Sequence, residues 1–445
     1  MRVTLGQDDQ PVLKGADPTA QDPLAIFWHD YLPHWALVRQ RIDPVELGDV
    51  SAAIESAFAS MQGRVRRGDR VCLAVGSRGI DRIDDVTRAA VSSLRAIGAE
   101  VFLVPAMGSH GGATAEGQLA VLASLGITEA SIGCEIRSSM ETIQIGDVDG
   151  RIPVFLDRHA AEEADVIIPI NRVKPHTDFS GPVESGLLKM IAIGLGKQRG
   201  ADTFHAEGFA AFAELIPAVA RHTLAHTNIP FGLALIENGH ARLLRVEAVA
   251  ADGMYTREQT LRDEADRYLA RLPIDALDVL IIDRIGKDIS GLGMDSNVVG
   301  RYYTGPTGRG PSIQRIVVRD LTDETEGNAV GIGMADVALR QAVDRMDQAR
   351  TYMNCITAKT PEGTRVPLTV DTDREAIDVA LACCLKVDVP TARIVRISDT
   401  KHLGWFYATE ALLPGLQASG VCEIVGQLGP IGFDLSGRLT ETLPA

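Results

Sequence analysis

The chain has 445 residues, 45% of them apolar and 23% charged, which suits a soluble globular protein with two or three domains rather than one core. Its formal net charge of −15, with no basic stripe, excludes nucleic acid and anionic membrane surfaces as natural partners. None of the six cysteines forms a CxxC pair, no uncharged apolar run is long enough to span a bilayer, and the first residues lack the apolar core of a signal peptide. A cytoplasmic enzyme is the class these bounds favour.

In chain order, residues 5–24 are polar and rich in Pro and Gly, and read as irregular. Trp28, His29, His34 and Trp35 form an aromatic cluster whose expected role is packing. From residue 67 strands and helices alternate. Residues 71–75 read as a buried strand, Gly76-Ser-Arg-Gly79 as a turn, and residues 84–97 as a helix closed by Gly98. A second strand, 101–104, runs into Pro105-Ala-Met-Gly-Ser-His-Gly-Gly-Ala-Thr114, and Thr114 fits the N-cap of a helix reaching Leu125. Residues 141–156 read as a hairpin turning at Asp149-Gly150.

Residues 166–170 are an apolar, β-branched strand. The loop after it carries Pro175, His176, Gly181 and Pro182. Then comes Ser185-Gly-Leu-Leu-Lys-Met-Ile-Ala-Ile-Gly-Leu-Gly196, apolar on nearly every side, which reads as a buried helix with Lys189 its lone charge. A helix over 210–226, a strand over 231–237 and a charged amphipathic helix over 255–272 follow. Pro273 marks a boundary. A second α/β series has strands at 278–283, 313–318 and 392–397 and helices near 335–347 and 372–386. The expected fold is therefore α/β, two domains with largely parallel sheets and an active-site cleft between them. Residues 1–272 would form the first domain and 273–445 the second, the last 20 or so packing back on the first.

Loops that leave strand C-termini and enter helices are where open α/β sheets bind ligands. Gly76, Ser77 and Arg78 are candidates to hold a phosphate or carboxylate, since glycines let N–H groups approach and helix N-termini favour anions. His110 lies between glycines with little apolar bulk to pack against. Lys189 loses hydration in its apolar run, which disfavours the charged form and leaves a nucleophile or covalent anchor. His205 follows sixteen residues later. The alternative has Lys189 reaching solvent along its stem, with His176 and His205 as ordinary loop residues. Two histidines on opposite sides of a substrate can do the two-base chemistry of racemisation. No HExxH-like spacing argues for a protein-ligated zinc.

The order Ser-His110-Gly-Gly-Ala-Thr, Lys-Pro-His176-Thr-Asp-Phe-Ser-Gly, Gly-Leu-Leu-Lys189 and then His205 resembles the lactate racemase family, over roughly residues 65–300. That resemblance implies a nickel-pincer nucleotide cofactor, made by separate cofactor-synthesis enzymes and attached at Lys189 through a thioamide. His205 would be the protein ligand to nickel, and the loop with Ser77 and Arg78 would hold the cofactor phosphate. His110 and His176 would be the alternating acid/base pair acting on the hydroxyl of a small anionic 2-hydroxy acid. The family's substrate loop has the form GGxPxDxNxYQxxK. Here Asp295 and Asn297 fit it, Gly300 stands for Gln and Tyr303 for Lys. These departures make Arg301 the expected carboxylate ligand and lactate an unexpected substrate, with Gly300 opening room for a larger one. Glu184 stands where the family more often has Lys. Trp405 either lines the pocket or packs in the core, and His222, His226, His240 and His402 read as structural. The rival functions are a lyase or aldolase using Lys189 as a Schiff base, and an inert relative that binds cofactor or organic acid.

Overall fold

The computed structural model describes residues 3–5, 11–13, 27–77, 79–304 and 309–444. They form two units, Asp43–Leu269 and a discontinuous one made of Met1–Ile42 with Ala270–Ala445. Both are α/β, so the expected fold class stands. The expected 1–272 boundary does not hold at its N-terminal end. Strand Trp35–Gln40 hydrogen-bonds between Trp405–Thr409 and Cys422–Ile424. Pairing with two strands commits it to the sheet of the discontinuous unit. The C-terminal tail packs there too, through Cys422 opposite Gln40 and a bridge from Trp35 to Gly429.

The Asp43–Leu269 unit is built on a six-stranded sheet. In spatial order its strands are Leu243–Ala250, Phe231–Glu237, Val166–Arg172, Arg70–Val75, Glu100–Pro105 and Glu135–Ile136. All are parallel except Leu243–Ala250 at one edge. Parallel strands need crossovers, which cover both faces, hence the unbroken apolar runs in the sequence. Val71, Leu73 and Val75 join a core with Ile54, Val86 and Leu94 on one face. Cys72 and Ala74 join Leu188, Ile191, Ile216 and Leu261 on the other. The helix after Arg70–Val75 thus packs on one face, and those after Val166–Arg172 on the opposite one. Strand order also reverses between these two neighbours. Their C-terminal ends are therefore the topological switch point, where the diverging loops leave a crevice.

Several local expectations hold. The hairpin Thr142–Val148 with Ile152–Asp157 turns through Asp149 at φ 56° and Gly150 at φ 66°, the two positive values a type I′ turn needs. Gly98 closes the helix Ile83–Ile97 at φ 89°, and Thr114 caps Ala115–Ser124 by accepting the Gly117 N–H at 3.0 Å. The apolar run 185–196 is not one regular helix. A single α-turn, Leu187–Lys189, passes into a π-turn, Met190–Gly194, which closes when the Leu195 N–H donates to the Met190 carbonyl at 2.9 Å. A Cβ on Gly194 would lie 2.6 Å from the Ala106 carbonyl oxygen, so the glycine lets this turn approach the neighbouring strand end.

The discontinuous unit carries an eight-stranded sheet ordered Leu368–Val370, Val337–Leu339, Ser312–Leu321, Ala276–Ile285, Ile394–Ile397, Trp405–Thr409, Trp35–Gln40, Cys422–Ile424. The first five are parallel and the rest antiparallel. The helix expected over 335–347 is instead the buried strand Val337–Leu339 followed by a short helix, Arg340–Asp344. Parallel pairing on both sides overrides the local pattern there. Among the described residues no helix is long and apolar enough to cross a membrane.

Candidate functional site

The Asp43–Leu269 unit carries His110, His176, Lys189, His205, Gly76 and Ser77. His176 follows strand Val166–Arg172 and is buried. Its Nδ1 accepts the Asp178 N–H at 3.0 Å, and its Nε2 meets Lys189 Nζ in a short hydrogen bond. The Asp178 carboxylate also lies 3.5 Å from Nδ1. The amine and the ring can share a proton across the Nε2–Nζ hydrogen bond. Lys189 is half-buried rather than solvent-directed.

His110 lies on the loop after strand Glu100–Pro105, and its Nδ1 shares a short hydrogen bond with Ser77 Oγ from the neighbouring strand's loop. The two loops also touch the Lys189 turn. The Gly108 N–H donates to the Gly194 carbonyl at 3.2 Å, and a Cβ on Gly76 would sit 3.1 Å from Met190 Cε. Gly76 therefore serves close approach between loop and π-turn. Arg78 lies outside the described residues.

His205 stands on helix Lys197–Glu207, half-buried, 5.5 Å from the Phe209 ring and 5.6 Å from Phe212. Phe212 is 5.4 Å from Phe179, and Phe179 is 4.5 Å from His176. Two phenylalanines thus connect His205 to His176, and Phe179 also lies 6.0 Å from Lys189 Nζ. The result is an apolar floor beneath one amine and two imidazoles.

Sequence reasoning flagged Glu184 only as a departure from the family and missed the other residues that hold this arrangement. Glu184, wholly buried, accepts the His176 N–H at 2.7 Å and the Gly181 N–H at 3.2 Å, which fixes the His176 loop. Arg262 donates to Glu184 at 3.2 Å. Glu258, one helical turn earlier on Met254–Tyr268, accepts the Leu187 N–H at 2.6 Å and the Leu188 N–H at 3.1 Å. Burial pushes its carboxyl up to about 7, against the two amides that pull it down. The signal was their i,i+4 spacing on a helix that reads as solvated because charges surround both. On the other loop, wholly buried Lys197 donates to the Pro105 carbonyl and to Gln118 Oε1 at 3.2 Å, with Asp157 at 3.0 Å. Gln118 in turn donates to the carbonyls of Gly108 and His110, at 2.9 and 3.3 Å. A lysine with two acceptors and a facing carboxylate supports the His110 loop.

In the discontinuous unit the expected substrate residues have framework contacts. Arg301 donates to Asp336 and Met334 through Nη1 and to Ile313 and Gln314 through Nη2, so its fork is committed to its own framework instead of a ligand. Asp295 caps the short helix Ser296–Val299 and accepts the Asn297 side-chain amide at 3.0 Å, while Asn297 is wholly buried. Both therefore take part in the cap of that helix. Gly300 sits at φ 64°, where a Cβ would lie 2.0 Å from the Pro311 carbonyl oxygen. Its identity answers a backbone turn, not the size of a substrate. Tyr303 packs on the core beside Gly363, and Trp405 lies on its sheet beneath Arg39.

Whether the residues present suit a nickel-pincer nucleotide depends on their donors. Lys189 offers an amine for covalent attachment, His205 an imidazole, Ser77 a hydroxyl, and Phe179 with Phe212 an apolar bed. These donors fit the group. Among the described residues no cluster of three or more His, Cys, Asp or Glu could hold a metal. Nickel here would rest on His205 together with donors that the nucleotide itself brings.

No family model and no curated protein matches the chain. Among solved structures, a structural-genomics protein from Thermotoga maritima aligns at 16% identity and TM-score 0.46, over 60% of this chain and 70% of its own. The lactate racemase apoprotein from Thermoanaerobacterium thermosaccharolyticum aligns at 12% identity and TM-score 0.46, over 82% and 98%. Likenesses this distant assign neither family nor function.

Proposed function

We propose that the chain is an isomerase that racemises or epimerises a small 2-hydroxy acid, using a nickel-pincer nucleotide held by Lys189, His205 and the Ser77 loop. The observation that carries this reading is the Lys189–His176 pair at the switch point, with the Ser77–His110 pair on the loops that touch the same turn. The motif order in the sequence supports it further. When bound, the nucleotide supplies a hydride acceptor for the substrate carbon. The chain's own residues handle protons and shape. Covalent engagement of Lys189 Nζ removes its basicity and frees His176 Nε2 to take or return the substrate hydroxyl proton. His110, oriented through Nδ1 by Ser77, does the same with Nε2 from its own loop, which is the two-base arrangement that inversion requires. Phe179 and Phe212 keep water from the reacting atoms. Because Arg301 and Gly300 have framework roles, nothing in their identity argues against lactate, and the substrate is stated as a class.

The same pair supports a second reading. A half-buried lysine amine beside an imidazole also suits Schiff-base chemistry on a keto acid. Intact mass and nickel content of protein co-produced with cofactor-synthesis enzymes, beside Lys189→Ala, separate the two. Added mass mapping to Lys189 with about one nickel per chain, as the reading requires, supports the isomerase. An unmodified Lys189 without nickel, inactivated by borohydride only when a keto acid is present, refutes it in favour of the Schiff base.

A further inference from the structure

The Leu187–Lys189 turn is only three residues long before the backbone widens into a π-turn. So short a helix does not hold its own N-terminus, and its first amides need acceptors from elsewhere. Glu258 supplies one carboxylate oxygen to two of them. A Cβ on Gly186 would meet that carboxylate at 2.4 Å, so the turn and the side chain are in direct contact at a residue that has no side chain of its own. Asn171 completes the hold by donating to the Gly186 carbonyl at 2.8 Å. The other Glu258 oxygen is buried and has no hydrogen-bond partner among the described residues. A wholly buried carboxylate with one idle oxygen is unfavourable for folding alone. Its placement beneath the turn that presents Lys189 gives it a use.

We propose that Glu258 is a positioning residue: its carboxylate, bound to the Leu187 and Leu188 amides, keeps Lys189 Nζ against His176 Nε2, and its protonation releases that hold. This rests on the reading of Lys189 as the reactive amine. The ionisable groups on the elements around it are otherwise engaged. On the strands packed against the helix, Glu247 pairs with Arg257 and Arg245, and Glu237 pairs with Arg172. Asp252, in the turn before the helix, faces Arg64 at 3.8 Å. On the helix itself Arg262 is turned to Glu184 and Asp263, and Glu264 to Arg245. Burial pushes the Glu258 carboxyl up and the two amides pull it down.

The test is acylation of Lys189 in the unloaded full-length protein by acetic anhydride, read by peptide mass spectrometry against exposed Lys386 in the same sample. Comparing parent and variant at the same pH cancels the pH dependence of the reference lysine. At about pH 8 the parent's Lys189:Lys386 ratio is expected to exceed that of Glu258→Gln about fivefold, and at about pH 6 the two ratios are expected to converge, because ionised Glu258 makes the stronger hydrogen bonds and holds the amine against His176. The Glu258→Gln variant is expected to keep an unchanged circular dichroism spectrum. Should that variant not fold, Glu258→Asp, which keeps the charge and withdraws it from the amides, is expected to lower the ratio at about pH 8 by the same factor. A ratio equal to the parent's at every pH in a folded variant overturns the proposal. Because the protein carries no cofactor here, the result is independent of the nickel and mass measurement, so either reading can fail alone.

Discussion

Glu258 also makes a quantitative statement about stability. Folding raises its carboxyl from an ordinary 4.5 to about 7, chiefly through burial. Below pH 4.5 both states are protonated and the group has no effect. Between 4.5 and 7 the folded state keeps a proton that the unfolded state has released, so stability falls as pH rises through that window. Above 7 both are ionised and the full penalty applies. The shift corresponds to about 3 kcal/mol, at about 1.4 kcal/mol per pH unit. The side chain is wholly buried, so no discount for solvent screening applies. Glu258→Gln removes this dependence and leaves every other carboxyl in place. Urea unfolding followed by far-ultraviolet circular dichroism at about pH 4 and about pH 8 should show the variant gaining about 3 kcal/mol on the parent across the interval, whatever its constant offset from burying an amide. A parent–variant difference that is the same at both pH values refutes the assignment of a near-neutral carboxyl to this position.

Other perturbations have equally definite outcomes. Arg262→Ala removes the guanidinium facing buried Glu184 and should lower unfolding stability by about 3 kcal/mol, with faster amide exchange in residues 176–181. Lys197→Met leaves Asp157 buried without its cation and should be destabilising by about 3 kcal/mol in urea melts, more than a volume-matched change elsewhere in the core. Gly300→Ala forces a side chain into left-handed backbone against the Pro311 carbonyl, so a loss of about 1–2 kcal/mol or more is expected, whereas a neutral outcome would restore the idea that this glycine serves ligand space. His110→Ala and His176→Ala should each abolish interconversion of a 2-hydroxy acid's stereoisomers while the loaded mass at Lys189 persists. Loss of the loaded mass instead would make them cofactor-binding groups.

Much was legible from local pattern. Turn and cap chemistry depends on a few neighbouring residues, so Gly98, Thr114 and the Asp149-Gly150 turn could be read directly. Unbroken β-branched runs between helical periods predicted parallel strands. Tertiary structure decided what depends on distant partners. Trp35–Gln40 belongs to the sheet formed hundreds of residues later because its hydrogen bonds are made there. Arg301 looks like an anion ligand until Asp336 and three carbonyls occupy its fork. Glu258 and Arg262 look like two charges on a solvated helix until the fold turns that face inward. A sequence states which groups are available. Whether a charge meets water, a partner or a backbone amide is settled by which elements pack against it, and that choice separates a surface residue from one that holds the site.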